Sequence, residues 1–209
     1  MGCCQSRSAP SDSPEKLAAE THFSVDEVYA LEELFHKLSN SLHHDGRIHK
    51  DEFALALFKA QQRSNLFTDR VFEVFDTKKN DVIDFGEFVR ALSVFHPKAP
   101  LEEKAAFAFR IYDLDNTGSI NQGEVQRLLA ALLADNPALD LDEGAIHNIV
   151  QQTFAQADTA GDGIISPQEW LDLVSGNPSI IDYMTLPVLK EVTKQYASFV
   201  FNKERRYDA

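Results

Sequence analysis

The sequence predicts an all-α chain of four helix–loop–helix units in two paired lobes, each pair joined by a short two-stranded β contact between its loops. Three observations carry that prediction. Between residues 20 and 175 one unit recurs four times: an apolar stripe at helical spacing, a polar loop with an aliphatic residue near its middle, a glutamate four residues later, and a second apolar stripe. Over 209 residues, 44% hydrophobic and 25% charged side chains are enough to build real cores, which rules out disorder throughout. Only two cysteines occur, Cys3 and Cys4, so neither a disulfide scaffold nor a thiolate zinc site can hold the fold. With 20 basic and 33 acidic residues the net charge is −13, which argues against a nucleic-acid partner.

Four segments follow: an N-terminal tether over 1–20, helix–loop–helix pairs over 21–97 and 98–176, and an apolar tail over 177–209. Met1-Gly2-Cys3-Cys4-Gln5-Ser6 fits the myristoylation pattern, with Gly2 supplying the amine and Ser6 at the preferred hydroxyl position. One myristoyl chain binds a bilayer with a constant of only about 10⁴ M⁻¹, so stable anchoring needs a second signal. Arg7 and Lys16 are too few to provide it; palmitoylation of Cys3, Cys4 or both would. Serines and prolines over residues 5 to 20 read as flexible chain that adds reach. No uncharged apolar stretch approaches the roughly 18 residues of a spanning helix.

The loops suit a hard cation, which takes six to eight oxygens at about 2.3–2.6 Å. A twelve-residue loop supplies them from positions 1, 3, 5, 7, 9 and 12, with glycine at position 6 for the turn. In the first unit the stripe Leu31, Leu34, Phe35 and Leu38 ends before Ser39, and the terminal glutamate is Glu52, so this loop has fourteen residues. Ile48 precedes Glu52 by four residues, as Ile120 precedes Glu124, which places the two extra residues in the front half, Ser39 to Asp45. Asp45 and Glu52 are its candidate carboxylate ligands. Ser39 and Arg47 complete the set, and backbone carbonyls must supply much of the coordination. His43, His44 and His49 read as solvated loop residues, since no cysteine stands near to complete a transition-metal site.

The second loop, Asp76 to Glu87, offers Asp76, Asn80, the Val82 carbonyl, Asp84 and Glu87. Lys78 stands at its third position, where it must either swing outward or repel an ion, and Asp81 stands where glycine is preferred. The third loop is the most complete. Asp113, Asp115 and Thr117 give side-chain oxygens, Ser119 a carbonyl, Asn121 a direct or water-mediated contact, and Glu124 two oxygens, while Gly118 allows the positive φ of the turn. The helix before it has Pro100, Glu102 and Glu103 at its start, and Ala105, Ala108, Phe109 and Tyr112 as core. Ile120 should pair with a partner loop. The fourth loop, Asp158 to Glu169, keeps Asp158, Asp162, the Ile164 carbonyl, Ser166 and Glu169, but Ala160 removes the third ligand. These loops resemble EF-hand loops, and the expected ion is Ca²⁺.

Calcium reorients the helices flanking such loops and can open an apolar groove for a partner helix. With only Met1 and Met184 among its methionines, a groove here must be built from phenylalanine, leucine, isoleucine and valine, which implies a narrow partner range. Phe53, Leu57, Phe58, Phe88, Leu92 and Phe95 could line it or could be core. The apolar segment 183–201 is placed to cover it when no partner is bound.

A four-unit chain that opens on an enlarged loop, followed by Phe75-Asp76-Thr77-Lys78-Lys79-Asn80 and by Ala108-Phe109-Arg110-Ile111-Tyr112-Asp113, resembles the plant calcineurin B-like calcium sensors over residues 20 to 205. Tyr196-Ala197-Ser198-Phe199 resembles that family's Phe-Pro-Ser-Phe element, with Tyr196 and Ala197 in place of Phe and Pro. The resemblance implies a non-catalytic sensor of a CBL-interacting Ser/Thr protein kinase, bound through the kinase's Asn-Ala-Phe regulatory segment. It also implies phosphorylation of Ser198 by that kinase, and the dually acylated start resembles members at the cytoplasmic face of the plasma membrane. Two alternatives stand beside it: a regulatory chain of a protein phosphatase of the calcineurin B type, also with four EF-hands and an acylated start, and a membrane-tethered calcium buffer. No histidine or serine stands in a recognisable catalytic motif.

Overall fold

The computed structural model describes residues 12–58, 66–96, 98–134 and 142–184. Gly2, Cys3, Cys4 and Ser198 lie outside these residues, as does the segment expected to cover a groove beyond residue 184. The helices are α1 (Pro14–Glu20), α2 (Val25–Leu38), α3 (Lys50–Phe58), α4 (Leu66–Phe75), α5 (Phe85–Ser93), α6 (Leu101–Tyr112), α7 (Gln122–Ala134), α8 (Glu143–Ala157), α9 (Pro167–Gly176) and α10 (Ser179–Met184). Two short strands, β1 (Ile120–Asn121) and β2 (Ile164–Ile165), complete the elements.

The four units obey one local rule. Each entering helix ends where the amide after it reaches back to a phenylalanine carbonyl: Ser39 to Phe35, Asp76 to Phe72, Asp113 to Phe109 and Asp158 to Phe154, all at 2.8 to 2.9 Å. Three helices begin with a reciprocal capping box, Ser24 with Glu27, Asp84 with Glu87 and Ser166 with Glu169. Asn121 and Glu124 make the same exchange at α7, at 2.8 and 3.1 Å. In loops 2, 3 and 4 the terminal glutamate is therefore also the residue that caps the exiting helix, where a carboxylate suits the positive end of the helix dipole.

Loops pair across each lobe at their central isoleucines. Ile120 faces Ile165 in an antiparallel pair, and Ile48 faces Ile83 through mutual amide–carbonyl bonds of 3.0 and 2.9 Å. The expected contact is thus a two-stranded ladder in the second lobe and a single bridge in the first. All four side chains are buried.

One core runs through both lobes. Phe53 packs edge-on against Phe72 and Phe75, Phe35 packs against Phe85 and Phe88, and Phe75 meets Phe107 of the second lobe at 6.0 Å. Phe53, Phe88 and Leu92, open at the sequence level between groove and core, are core, and Phe95 is half-buried against Phe107. The Leu57 and Phe58 side chains are outside the described set.

The tether is shorter than expected. Residues 14 to 20 form α1, opened by the Ser13 hydroxyl and Pro14 and anchored by fully buried Leu17 against α2 and α5. Arg90 of α5 donates to Asp12 and Glu20, the His22 amide donates to Ser93, and His22 meets Glu103 of α6 at 2.8 Å. Among the described residues no helix is long and apolar enough to cross a membrane.

Candidate calcium sites

Loop 3 collects the most oxygen. Side-chain oxygens of Asp113, Asp115 and Glu124 all lie within 4.8 Å of one another, the one such group of three among the described residues. Asp113 points both oxygens into the turn, accepting from the Thr117 amide at 2.9 Å and the Gly118 amide at 3.0 Å. Gly118 has φ +81°, the conformation expected of it, and Asn116 sits at φ +56°. Thr117 Oγ1 lies 3.3 Å from the Ser119 carbonyl it donates to, so two further candidate ligands are adjacent. Glu124 is fully buried, and its oxygens accept from the Asp115 and Asn121 amides. A buried carboxylate beside two others is a donor set that a hard cation fits.

The other terminal glutamates are held in the same way. Glu87 accepts from Lys78 and Asp84, Glu169 from Thr159, Ala160 and Ser166, and Glu52 from Leu42, His43 and His49. The Ser166 and Ala160 amides, with the Ser166 and Thr159 hydroxyls, hold the Glu169 carboxyl down at about 2, so it is ionised at any pH near neutrality. In loop 4, Asp158 gathers the Gly161, Asp162 and Gly163 amides, and Asp162 accepts from Ile164. Ala160 contributes only its amide.

Loop 2 settles what Lys78 does. Its ammonium pairs with Asp84 across the loop, which raises the lysine's pKa and occupies the ninth-position carboxylate. Lys78 therefore neither swings clear nor merely repels; it competes with an ion for a ligand. Asp81 adopts φ +60° as glycine would, its amide donating to Asp76 at 2.8 Å. The Asn80 amide group lies 2.8 Å from the Val82 carbonyl and 3.2 Å from Asp76 Oδ1. With its oxygen inward, three oxygens converge as a cation requires; turned over, its nitrogen donates to both. Replacing Lys78 by Asp should free Asp84 and add the missing ligand, so calcium binding by this loop should tighten by at least about tenfold. Isothermal titration of Lys78→Asp against the parent protein reads that gain as an added or strengthened binding step.

Loop 1 is the irregular one. Positive φ falls at His44 and Gly46, eight and six residues before Glu52, matching Asn116 and Gly118 before Glu124. The regular register therefore runs from His44 onward and the two extra residues lie between Ser39 and His43. Ser39 stands where the other loops have aspartate, and its hydroxyl is fully buried without a hydrogen-bond partner. Asp45 is engaged by His49 at 2.8 Å and by the Arg47 amide at 2.9 Å, both of which lower its pKa. His43 pairs with Asp51, and the His43 and His49 rings stand 4.3 Å apart. The orphaned Ser39 hydroxyl and the Asp45 carboxylate suit an ion, but the set is poorer than that of loop 3.

Arg70 of α4 is a residue that the sequence patterns do not single out. Its side chain is 6% exposed and reaches across to the end of α6. Nε and Nη2 donate to the Arg110 carbonyl at 3.0 and 2.6 Å, and Nη2 also reaches the Asp113 carbonyl and Asn116 Oδ1.

Four paired helix–loop–helix units with acidic, glutamate-terminated loops define an EF-hand calcium-binding protein. Comparison with known proteins agrees: residues 102–175 match the model of the EF-hand domain pair. Over 203 residues the chain is 37% identical to calcineurin B-like protein 5 of Arabidopsis thaliana, covering 96% of this chain and 100% of that protein. It is 33% identical to calcineurin B of Candida glabrata over 90% of this chain and 98% of that one. The type 2 calcineurin B of Rattus norvegicus is 38% identical, over 74% of this chain and 82% of its own. The chain belongs to the calcineurin B-like family of EF-hand proteins, and Ca²⁺ is its ligand.

Proposed function

We propose that the protein is a calcium sensor that binds and activates a CBL-interacting Ser/Thr protein kinase through the kinase's Asn-Ala-Phe regulatory segment and brings it to a membrane. The observation that carries this reading is the end-to-end similarity to a plant calcineurin B-like protein, combined with the fourteen-residue first loop. A cavity of about 600 Å³ lined by Val94, Ala105, Phe107, Phe109, Trp170 and Leu171 supports it, because an apolar cleft between α6 and α9 gives a partner's side chains a place to bury. In this reading loop 3 is the tightest calcium site, loops 2 and 4 are weaker, and loop 1 is filled mainly through carbonyls.

Membrane attachment rests on Gly2 with Cys3 and Cys4, and in this reading the protein sits at the cytoplasmic face of the plasma membrane. Ser198 is the kinase's phosphorylation site. There a charge of about −1.5 to −2 beside Tyr196 and Phe199 alters how the tail docks. The identity to the fungal and rat calcineurin B proteins favours a second reading as the regulatory chain of a phosphatase.

Binding measured with a fluorescent Asn-Ala-Phe peptide and, separately, with the helix of a calcineurin catalytic chain that docks on calcineurin B distinguishes the two. The expected result is kinase-peptide binding at least about tenfold tighter in calcium than in chelator. Preference for the phosphatase helix, or no effect of calcium on either, would overturn the kinase reading.

A further inference from the structure

We propose that Arg70 is a positioning residue for the calcium site of loop 3, so that α4 of the first lobe sets how tightly the second lobe holds its ion. The inference rests on calcium binding by loop 3 and not on the identity of any kinase.

A helix ends with carbonyls that lack intrahelical donors and with a concentration of negative potential. At α6 both needs are met from another lobe. The Arg70 guanidinium places two donors on the Arg110 carbonyl and a third contact on the Asp113 carbonyl, and it reaches Asn116 Oδ1 at 2.9 Å. Among the described residues its ion-pair partner is Glu73 at 3.1 Å, which is 56% exposed, so most of the compensation for this buried charge comes from the end of α6 and the start of loop 3.

The two loop residues it touches decide the shape of the site. Asp113 is the first ligand, and its carboxylate gathers the Thr117 and Gly118 amides on the inner side. Arg70 holds the same residue's carbonyl from outside, so the carboxylate is kept facing inward. Asn116 sits at φ +56°, in the left-handed region that few residues other than glycine and asparagine adopt, and its side chain is tied to the same guanidinium. Fixing these positions in advance removes ordering that an ion would otherwise impose. Arg110 lies close enough that Arg70's charge, after burial, helps lower its pKa, and it rests over the Phe107 ring at 5.4 Å. The fork geometry of arginine, which lysine lacks, is what serves three acceptors at once.

The opposing effect is charge: a guanidinium beside a cation site repels the ion. The two effects differ in sign and so can be separated. Calcium titration calorimetry on the full chain should compare Arg70→Lys, Arg70→Gln and Asn116→Gly, each also in a Glu124→Gln background. Amide spectra of Gly118 report loop 3 directly. The proposal expects Arg70→Lys and Arg70→Gln to weaken the loop-3 step about tenfold, the equivalent of one charge-assisted hydrogen bond. Asn116→Gly, which tolerates the positive φ and leaves the buried guanidinium in place, should weaken it about threefold. All three losses should vanish once Glu124 is replaced.

Unchanged affinity in Arg70→Lys with tighter binding in Arg70→Gln would assign Arg70 a purely repulsive role and overturn the proposal. So would losses that persist in the Glu124→Gln background, since those would reflect general destabilisation. If Glu124→Gln alone leaves the titration unchanged, the loop-3 calcium site itself is refuted and the proposal falls with it.

Discussion

Glu124→Gln is expected to remove the tightest calcium-binding step, weakening it by roughly 100-fold, while Glu52→Gln costs far less. The exchange preserves volume and one carbonyl oxygen but deletes the charge and one of two ligand oxygens. Two charge-assisted contacts at about 1.5 kcal/mol each account for the magnitude. Glu124 is fully buried beside Asp113 and Asp115, so little solvent screens what is lost. Glu52 is equally buried, but its loop opens on a serine where loop 3 has an aspartate, the loop's Asp45 is engaged by His49, and Glu52 itself accepts from three amides. Isothermal titration gives the affinities. A second reading comes from calcium's effect on thermal unfolding, because a ligand at 100 times its Kd stabilises the folded state by about 2.7 kcal/mol. That calcium-dependent rise should shrink in Glu124→Gln and largely survive in Glu52→Gln. Equal losses from both variants would contradict this order of sites.

What made loop 3 readable is that EF-hand chemistry is local. Ligand spacing, the glycine turn and the pairing isoleucine all lie within twelve residues, so Asp113 to Glu124 can be assigned without knowledge of any contact. The same locality places the insertion in loop 1, and backbone geometry only narrows it to Ser39–His43. Where the deciding partner is distant, the sequence is silent. Arg70 lies among Phe67, Val71, Val74 and Phe75, and a charge on that apolar face is the available signal of a buried tie. Its acceptors, however, are two carbonyls and an asparagine some 40 residues away. Carbonyls belong to every residue and leave no mark in composition.

Two other differences have physical causes closer to hand. Serine and proline density suggests a tether over residues 1–20, yet Ser13-Pro14 is also a helix start, and one leucine, Leu17, is enough to seat two turns of helix against α2 and α5. From sequence, Lys78 can be weighed only against the ion. The structure sets it against Asp84, six residues on, a partner that the loop's own curvature brings near. Both show the limit of reading a segment by its dominant composition when a single side chain decides its place.

Phe75→Ala should destabilise the protein by about 3–5 kcal/mol, the range for deleting a fully buried phenylalanine ring. For a chain of this size that corresponds to a fall in Tm of about 10 °C. Phe75 is 0% exposed and closes α4 immediately before Asp76. Its ring stands 5.1 Å from Phe53 in the first lobe and 6.0 Å from Phe107 in the second, and Phe107 in turn stands 5.0 Å from Phe95. A cavity there opens into the core of both lobes. Neither can close it alone, because α4 is held against α6 by Arg70 and by the first lobe's own rings. Unfolding followed by far- and near-ultraviolet circular dichroism at fixed calcium should therefore show one cooperative transition shifted downward in Phe75→Ala, with Phe75→Leu losing much less. As a control, Val25→Ala at a 37% exposed position should stay within about 0.5 kcal/mol of the parent. If Phe75→Ala instead split the transition in two, with the second lobe melting at the parent temperature, the continuous core would not be what couples the lobes. The Arg70 contacts would then be left as their main link.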